Sequence, residues 1–263
     1  MKRVMLRVAY DGTDYSGWQV QPNGRTIEGE LNRALSELTG EAIKVIGASR
    51  TDAGVHSMGN VAVFDTESPI PAEKFGKAIQ GRLPEDIVIV DAVETRADFH
   101  PRHCDHEKTY EYRFYTGAVK NPQLSRYTAW HYGKLDLEAM KKAAQALTGA
   151  HDFTSFCAVA TDVEDKVRTI YELTVEPDGD LIRIRVCGSG FLYNMVRIIA
   201  GTLLHVGLGR IMPEAMAGIL EGKDRRLAGP TAPACGLTQV HIEYHDIWKK
   251  EEGKHESEDI ILR

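Results

Sequence analysis

An α+β fold is predicted by three features of the 263-residue sequence. Runs with apolar residues at every second position alternate with runs at helical spacing. The order strand–helix–strand–helix–strand occurs twice, without a close sequence repeat, which suggests two similar layered halves. Between two alternating runs stands Pro177-Asp-Gly-Asp180, a turn signal that predicts a hairpin.

In the first half a strand is expected over about Val4 to Tyr10. A helix follows near Ile27 to Leu38, because Ile27, Leu31, Leu35 and Leu38 recur at helical spacing and Thr26 can cap it. Ile43 and Val45, then Val61 to Phe64, read as strands on either side of a glycine-punctuated loop, Gly47 to Gly59. A second helix is expected near Ala72 to Arg82 and a strand at Ile87 to Val90. The second half opens with Thr109-Tyr-Glu-Tyr-Arg-Phe-Tyr115, an alternating strand. A helix over Leu137 to Leu147 has Asp136 as its cap. Ile170 to Val175 and Leu181 to Val186 form the hairpin. A long helix from Leu192 to Val206, a short one after Pro213, and a strand at Val240 to Tyr244 close the order. The expected division is residues 1–103, residues 104–247 and a charged tail over 248–263, with a junction at Ala97 to Lys108.

Composition narrows the function. Hydrophobic residues make up 43% and charged residues 27%, which excludes fibrous and low-complexity classes. A net charge of −6 argues against a uniformly basic nucleic-acid binder, so any RNA footprint must be a local basic face. The four cysteines, Cys104, Cys157, Cys187 and Cys235, form no Cys-x-x-Cys pair, which suggests reduced thiols. The start reads as a strand and not as a signal peptide, since Arg7 interrupts it. Met195 to Val206 is too short to span a bilayer. A cytoplasmic protein is expected.

Several residues can carry chemistry. Asp52 lies in Gly47-Ala-Ser-Arg-Thr-Asp-Ala-Gly-Val-His56, on a loop between strands; it is either a functional acid or a turn residue bonding its own backbone. Arg197, among Met195, Val196, Ile198 and Ile199, is either a charge partner in a cleft or an arginine that snorkels to water. Tyr110 is either a contact for a planar ligand or a core residue of its strand, with Tyr112 on the same face. Arg50 is either a phosphate contact or a local salt-bridge partner of an acid, and Leu237 alone reads as core. Arg102, Lys108, Arg113, Arg183 and Arg185 are candidate phosphate contacts, the last two pointing away from the core.

The string Arg50-Thr-Asp-Ala-Gly-Val-His56 resembles the active-site motif of the TruA family of transfer RNA pseudouridine synthases. Tyr10-Asp-Gly-Thr-Asp-Tyr-Ser-Gly-Trp-Gln19, Phe99-His-Pro-Arg102 with Lys108-Thr-Tyr-Glu-Tyr112, His151-Asp-Phe-Thr-Ser-Phe156, Gly190-Phe-Leu-Tyr-Asn-Met-Val-Arg197 and Ala232-Pro-Ala-Cys-Gly-Leu237 are similar to its other motifs, in the same order, over roughly residues 4 to 245. His103-Cys-Asp-His-Glu107 and Thr238 depart from the family pattern. The resemblance implies two α/β halves forming a broad mixed, mainly antiparallel sheet, with helices packed on it and a catalytic cleft between the halves. It also implies a homodimer acting on uridines 38, 39 and 40 of the tRNA anticodon stem-loop. It places the nucleophile on Asp52, an active-site role on Arg197, read here as the charge partner of Asp52, the substrate-binding tyrosine on Tyr110 and a packing contact to the base on Leu237; Arg50, two residues before Asp52, is a candidate flipping aid or phosphate contact.

Two rival readings come from other classes. One is a non-catalytic tRNA-binding protein or RNA chaperone, in which the Asp52 loop is only a turn. The other is a metal-dependent hydrolase using His100, His103, Cys104, Asp105 and His106; no second ligand pair stands downstream as structural zinc sites require. The chain carries no P-loop or Gly-x-Gly-x-x-Gly motif, and neither a metal nor a cofactor is expected.

Overall fold

The first alternating run becomes β1 (Lys2–Tyr10), whose Val4, Leu6, Val8 and Tyr10 are buried on one face. A computed structural model describes residues 1–160 and 163–245 of the chain. The charged tail expected over 248–263 lies outside the described residues. Thr26 caps α1 (Ile27–Thr39) by accepting from the Gly29 amide, and Gly40 ends the helix at φ 74°. β2 (Ile46–Gly47) is shorter than expected. Ile43 and Val45 are buried, but α1 side chains hold their amides: Ser36 Oγ accepts from Ile43 and Asn32 Oδ1 from Val45. β3 (His56–Thr66) follows the glycine-punctuated loop.

The helix expected over 72–82 is a 3-10 turn, Ala72–Lys74, leading into α2 (Phe75–Gln80). β4 (Ile87–Thr95) ends the first half. Next come β5 (His106–Tyr115), a two-residue β6 (Ala129–Trp130), α3 (Leu137–Gln145), capped by Asp136 as expected, and β7 (Gly149–Asp152). β8 (Val167–Asp178) and β9 (Leu181–Gly188) form the hairpin, and the chain reverses at Gly179, φ 60°, and Asp180. Pro177 is therefore inside a strand. β7 pairs only with residues 167–170 of β8, so the missing proline N–H falls on an open edge. α4 (Met195–Gly207) starts later than expected because Asn194 is left-handed, φ 61°. α5 (Ala215–Glu221) and β10 (Leu237–Tyr244) complete the order.

All ten of these strands belong to one sheet, in the order β4-β1-β3-β10-β5-β9-β8-β7, with β2 on β3 and β6 on β5. Pairing is mainly antiparallel, with two parallel contacts, β10 on β3 and β6 on β5. β10, the last strand of the described residues, thus runs down the middle, between the strands of residues 2–95 and those of 106–188. One face carries two cores. α1 and α2, the latter through Phe75, cover Val4, Leu6 and Phe64; α3, α4 and α5 cover Tyr112, Phe114, Ile184 and Val186. A smaller cluster on the other face includes Met5, Val63, Phe99 and Ile242. Arg185 is exposed on β9 between buried Ile184 and Val186, as the alternation predicts, and Arg183 is half-buried beside them. No helix of the described residues is long and apolar enough to cross a membrane.

Candidate active site

The loop from Ala48 to Val55, between β2 and β3, is fixed by buried polar groups. Asn60 of β3, fully buried, accepts from the Ser49 amide at 3.2 Å and donates to the Ser49 carbonyl at 3.0 Å. The Tyr10 hydroxyl meets Thr51 Oγ1 at 2.7 Å, and the Trp18 amide donates to the Thr51 carbonyl at 3.0 Å. Past Asp52, the Val55 amide closes a turn on the Asp52 carbonyl, with Gly54 left-handed at φ 76°. Val55 is buried in the core of the second half. The loop is therefore held by both halves, which restricts the directions its acid can take.

Asp52 faces Arg197, which stands in the first turn of α4. Arg197 Nη1 donates to Asp52 Oδ2 at 3.0 Å and to Asn194 Oδ1 at 2.8 Å, and Nε donates to the Ala232 carbonyl at 2.8 Å. Both side chains are largely buried, 18% exposed for Arg197 and 19% for Asp52. Burial pushes the Asp52 carboxyl above its ordinary value, and the hydrogen bond and charge of Arg197 pull the other way. Such a carboxylate is poorly hydrated and held by one cation, a state suited to attack at an electron-poor carbon. Arg197 is therefore no snorkelling arginine.

Tyr110 lies on β5, 8% exposed, with its ring edge-on to Phe191 at 5.2 Å. Burial pushes its phenol up to about 12, against a hydrogen bond to Ser49 and with the charge of Asp52 adding to the rise. It is neutral at pH 7 and close enough to Asp52 to sense it. Leu237, 5% exposed, opens β10 opposite Tyr112, whose hydroxyl donates to the Pro233 carbonyl at 2.8 Å. Arg50 is exposed, two residues before Asp52. Arg50 and Arg102 both bear on Lys108, whose ammonium donates to the Ala48 carbonyl at 2.8 Å. Burial first, then those two arginines, lower Lys108 to about 8. Asp52, Arg197 and Tyr110 thus come together, with Leu237 at the end of the same strand pair. Arg50, Arg102 and Lys108 form a basic group beside them.

His56 does not turn toward Asp52; it is buried against Gly12, whose amide donates to its Nδ1 at 3.1 Å. The rings of His100 and His103 lie 4.1 Å apart, while His106 bonds the Cys104 carbonyl. Among the described residues no three His, Cys, Asp or Glu side chains converge as a metal site. Two open grooves of about 430 and 440 Å³ lie elsewhere on the second half and contain none of the candidate site residues. Sequence reasoning did not single out Asn60, Asn194 or Gln239. A buried Asn before the apolar run Val61 to Phe64 is a readable signal; Gln239, which links Ser49 and Ser57, gives none without knowing its neighbours.

A family model described as tRNA pseudouridine synthase matches residues 7–103 and 143–245, the two stretches that contribute Asp52 and Arg197. The tRNA pseudouridine synthase A of Geobacillus kaustophilus is 46% identical over 246 residues, covering 93% of this chain and 95% of that protein. The protein of the same name from Brevibacillus brevis is 49% identical over 244 residues, covering 93% of this chain and all of its own length. A chain in a solved Cbf5-Nop10-Gar1 complex matches with a TM-score of 0.33 and 14% identity, over 91% of this chain and 59% of that one, a likeness too loose to inform the fold. With 200 residues matched by the family model, and identity near one half along nearly the whole of these relatives, the chain belongs to the tRNA pseudouridine synthase family.

Proposed function

We propose that this protein is an isomerase that converts uridine to pseudouridine in tRNA, at nucleotides 38, 39 and 40 of the anticodon stem-loop, with Asp52 as nucleophile. The observation that carries the reading is the Asp52 carboxylate held 3.0 Å from Arg197, in a chain that belongs to this enzyme family. The reaction breaks the N1–C1′ bond of uridine, turns the base, and joins C5 to C1′, with loss of the C5 proton and uptake of a proton at N1. Nothing is oxidised and no group is gained, so a carboxylate that adds and later leaves is sufficient. It adds either to C1′ of the ribose or to C6 of the base.

The uridine must leave its stack to reach Asp52. In this reading the flipped base lies against Tyr110 and Leu237, and Arg50 fills the place it vacates. Arg102 and Lys108 take the flanking phosphates. Arg197 keeps Asp52 ionised, and no metal or cofactor takes part. The reading extends to a homodimer working in the cytoplasm, with residues 1–103 and 104–247 as the two halves of the cleft; the solution mass tests the dimer.

The test is release of tritium from tRNA labelled at uridine C5. Release matched by pseudouridine at nucleotides 38 to 40, and unchanged after exhaustive chelation, is the expected result. Absence of release, or release confined to other nucleotides, contradicts it.

A further inference from the structure

The segment from Thr116 to Thr128, between β5 and β6, belongs to the second half yet reaches the first. It is stiffened by turns: Leu124 and Tyr127 amides donate to the Asn121 and Leu124 carbonyls, and Thr128 Oγ1 donates to the Leu124 carbonyl. Its end projects Arg126 and Tyr127 onto Asp11, the residue after β1. The two oxygens of Asp11 divide their work. Oδ1 accepts from the Thr13 amide at 3.0 Å and the Thr13 hydroxyl at 2.6 Å, and lies 3.2 Å from His56 Nδ1. Oδ2 accepts from the Tyr127 hydroxyl at 2.9 Å and Arg126 Nη1 at 3.3 Å. One oxygen serves the first half and the other the strap.

This carboxylate sits directly behind the loop of Asp52. A Cβ on Gly12 would stand 2.0 Å from the Val55 carbonyl oxygen, so the backbone next to Asp11 lies against residue 55. The Gly12 amide donates to His56 Nδ1. His56 itself packs on the Tyr127 ring at 5.0 Å, and the carbonyls of Arg126 and Cys235 also bear on it. Asp11, Arg126, Tyr127 and Cys235 are thus the groups facing this imidazole from the first loop, the strap and the segment before β10. Cys235 ties the last two, its thiol donating to the Thr128 carbonyl at 3.4 Å.

Asp11 is ionised across the working pH range. Burial opposes its charge, but the hydrogen bonds from the Thr13 hydroxyl and amide and from the Tyr127 hydroxyl hold the carboxyl at about 2. Burial keeps His56 below its ordinary value, in the neutral form able to accept from Gly12 at Nδ1.

We infer that Asp11 is a positioning residue for the reaction: by clamping Arg126 and Tyr127 of the strap against Gly12 and His56, it fixes the end of the loop that aims Asp52. The inference rests on the reading of Asp52 as nucleophile. A small misplacement of a reacting group costs rate far more than it costs affinity, because the phosphates are bound elsewhere.

The test is the tRNA Kd and the single-turnover rate at saturating tRNA for wild type, Asp11→Asn, Tyr127→Phe and the double variant Tyr127→Phe with Arg126→Gln, with Asp52→Ala alongside. Tyr127 is half-exposed, so removing its hydroxyl leaves the fold intact even if Asp11→Asn folds poorly. The expected result is a saturating rate lowered about tenfold or more in the double variant and less in Tyr127→Phe, with Kd within about twofold and melting temperature unchanged in Tyr127→Phe. Wild-type rates at saturation in the strap variants overturn the inference, as does a weakened Kd alone, which makes the strap an RNA contact. If Asp52→Ala is dead while the strap variants keep full rate, only the positioning role falls. Activity in Asp52→Ala overturns the nucleophile reading beneath it.

Discussion

At the scale of single residues, the site is a balance between burial and one cation. Asp52 has its carboxyl pushed up by burial and pulled back by Arg197. Replacing Arg197 with Met keeps an apolar stem and deletes the charge. The Asp52 carboxyl then rises further, so the acid limb of the rate profile moves to higher pH. The sign follows from the nucleophile being the ionised form: a higher carboxyl value leaves less of it at any given pH. The single-turnover rate at pH 7 should fall by about a hundredfold, with tRNA affinity much less affected. Arg197→Lys should recover only part of the rate, because an ammonium cannot reach Asp52 Oδ2, Asn194 Oδ1 and the Ala232 carbonyl in one plane. Rate against pH for the three proteins checks this. Loss of tRNA binding with a wild-type rate and pH profile at saturation in Arg197→Met would make Arg197 a phosphate contact and not the partner of Asp52.

What the sequence disclosed of the site follows the same scale. The motif around Asp52, and a lone arginine in the apolar stretch Met195 to Ile199, were both legible. Their contact spans 145 residues, and only the family resemblance joined them beforehand. The supports were not legible, because Asn60, Asn194 and the Ala232 carbonyl acquire meaning from tertiary partners and not from neighbours in the chain.

At the scale of elements, α4 places Arg197 by lying against the segment before β10. The Ala232 amide donates to the Arg197 carbonyl at 3.1 Å, and the Gly229 amide donates to Thr202 Oγ1 at 2.9 Å. Gly201, one turn after Arg197, makes the approach possible: a Cβ there would stand 1.8 Å from the Pro230 carbonyl oxygen. Backbone cannot yield as a flexible side chain can. Gly201→Ala should therefore destabilise the protein by about 2 kcal/mol and displace the Ala232 acceptor, lowering the rate per folded molecule as well. Denaturant unfolding and single-turnover rate on the same preparation check both parts. Helix and strand order was readable because patterning is local. Boundaries failed where one residue or one side chain intervened: Asn194 starts α4 late, and Asn32 and Ser36 hold residues 43–45 out of the sheet.

At the scale of the whole molecule, β10 binds the two sets of strands together. It pairs with β5 from Leu237 to Tyr244 and with β3 at Thr238 and Gln239. Its register fixes Leu237 opposite Tyr112 and Gln239 opposite Tyr110, at the point where the Asp52 loop leaves the sheet. The alternation at 240–244 showed a strand, but nothing local could place it in the centre, since pairing partners more than a hundred residues away decide that. Charge is also distributed at this scale. The net charge is −6, yet Arg50, Arg102 and Lys108 collect at the site. Binding of tRNA should weaken by about a hundredfold or more between roughly 50 and 200 mM salt, as displaced counterions require. A flat dependence would remove the phosphate footprint from the account.

The central claim is that Asp52 forms a covalent bond in the reaction, and single-turnover tritium release from C5-labelled tRNA by Asp52→Asn tests it most directly. The amide keeps the size of the carboxylate and one acceptor oxygen for Arg197, but it has an NH2 group in place of the second oxygen and is a poor nucleophile. The account predicts tRNA binding close to wild type and a rate lower by on the order of a thousandfold or more. A rate within about tenfold of wild type would contradict it, because an amide cannot stand in for a carboxylate that must form a covalent bond.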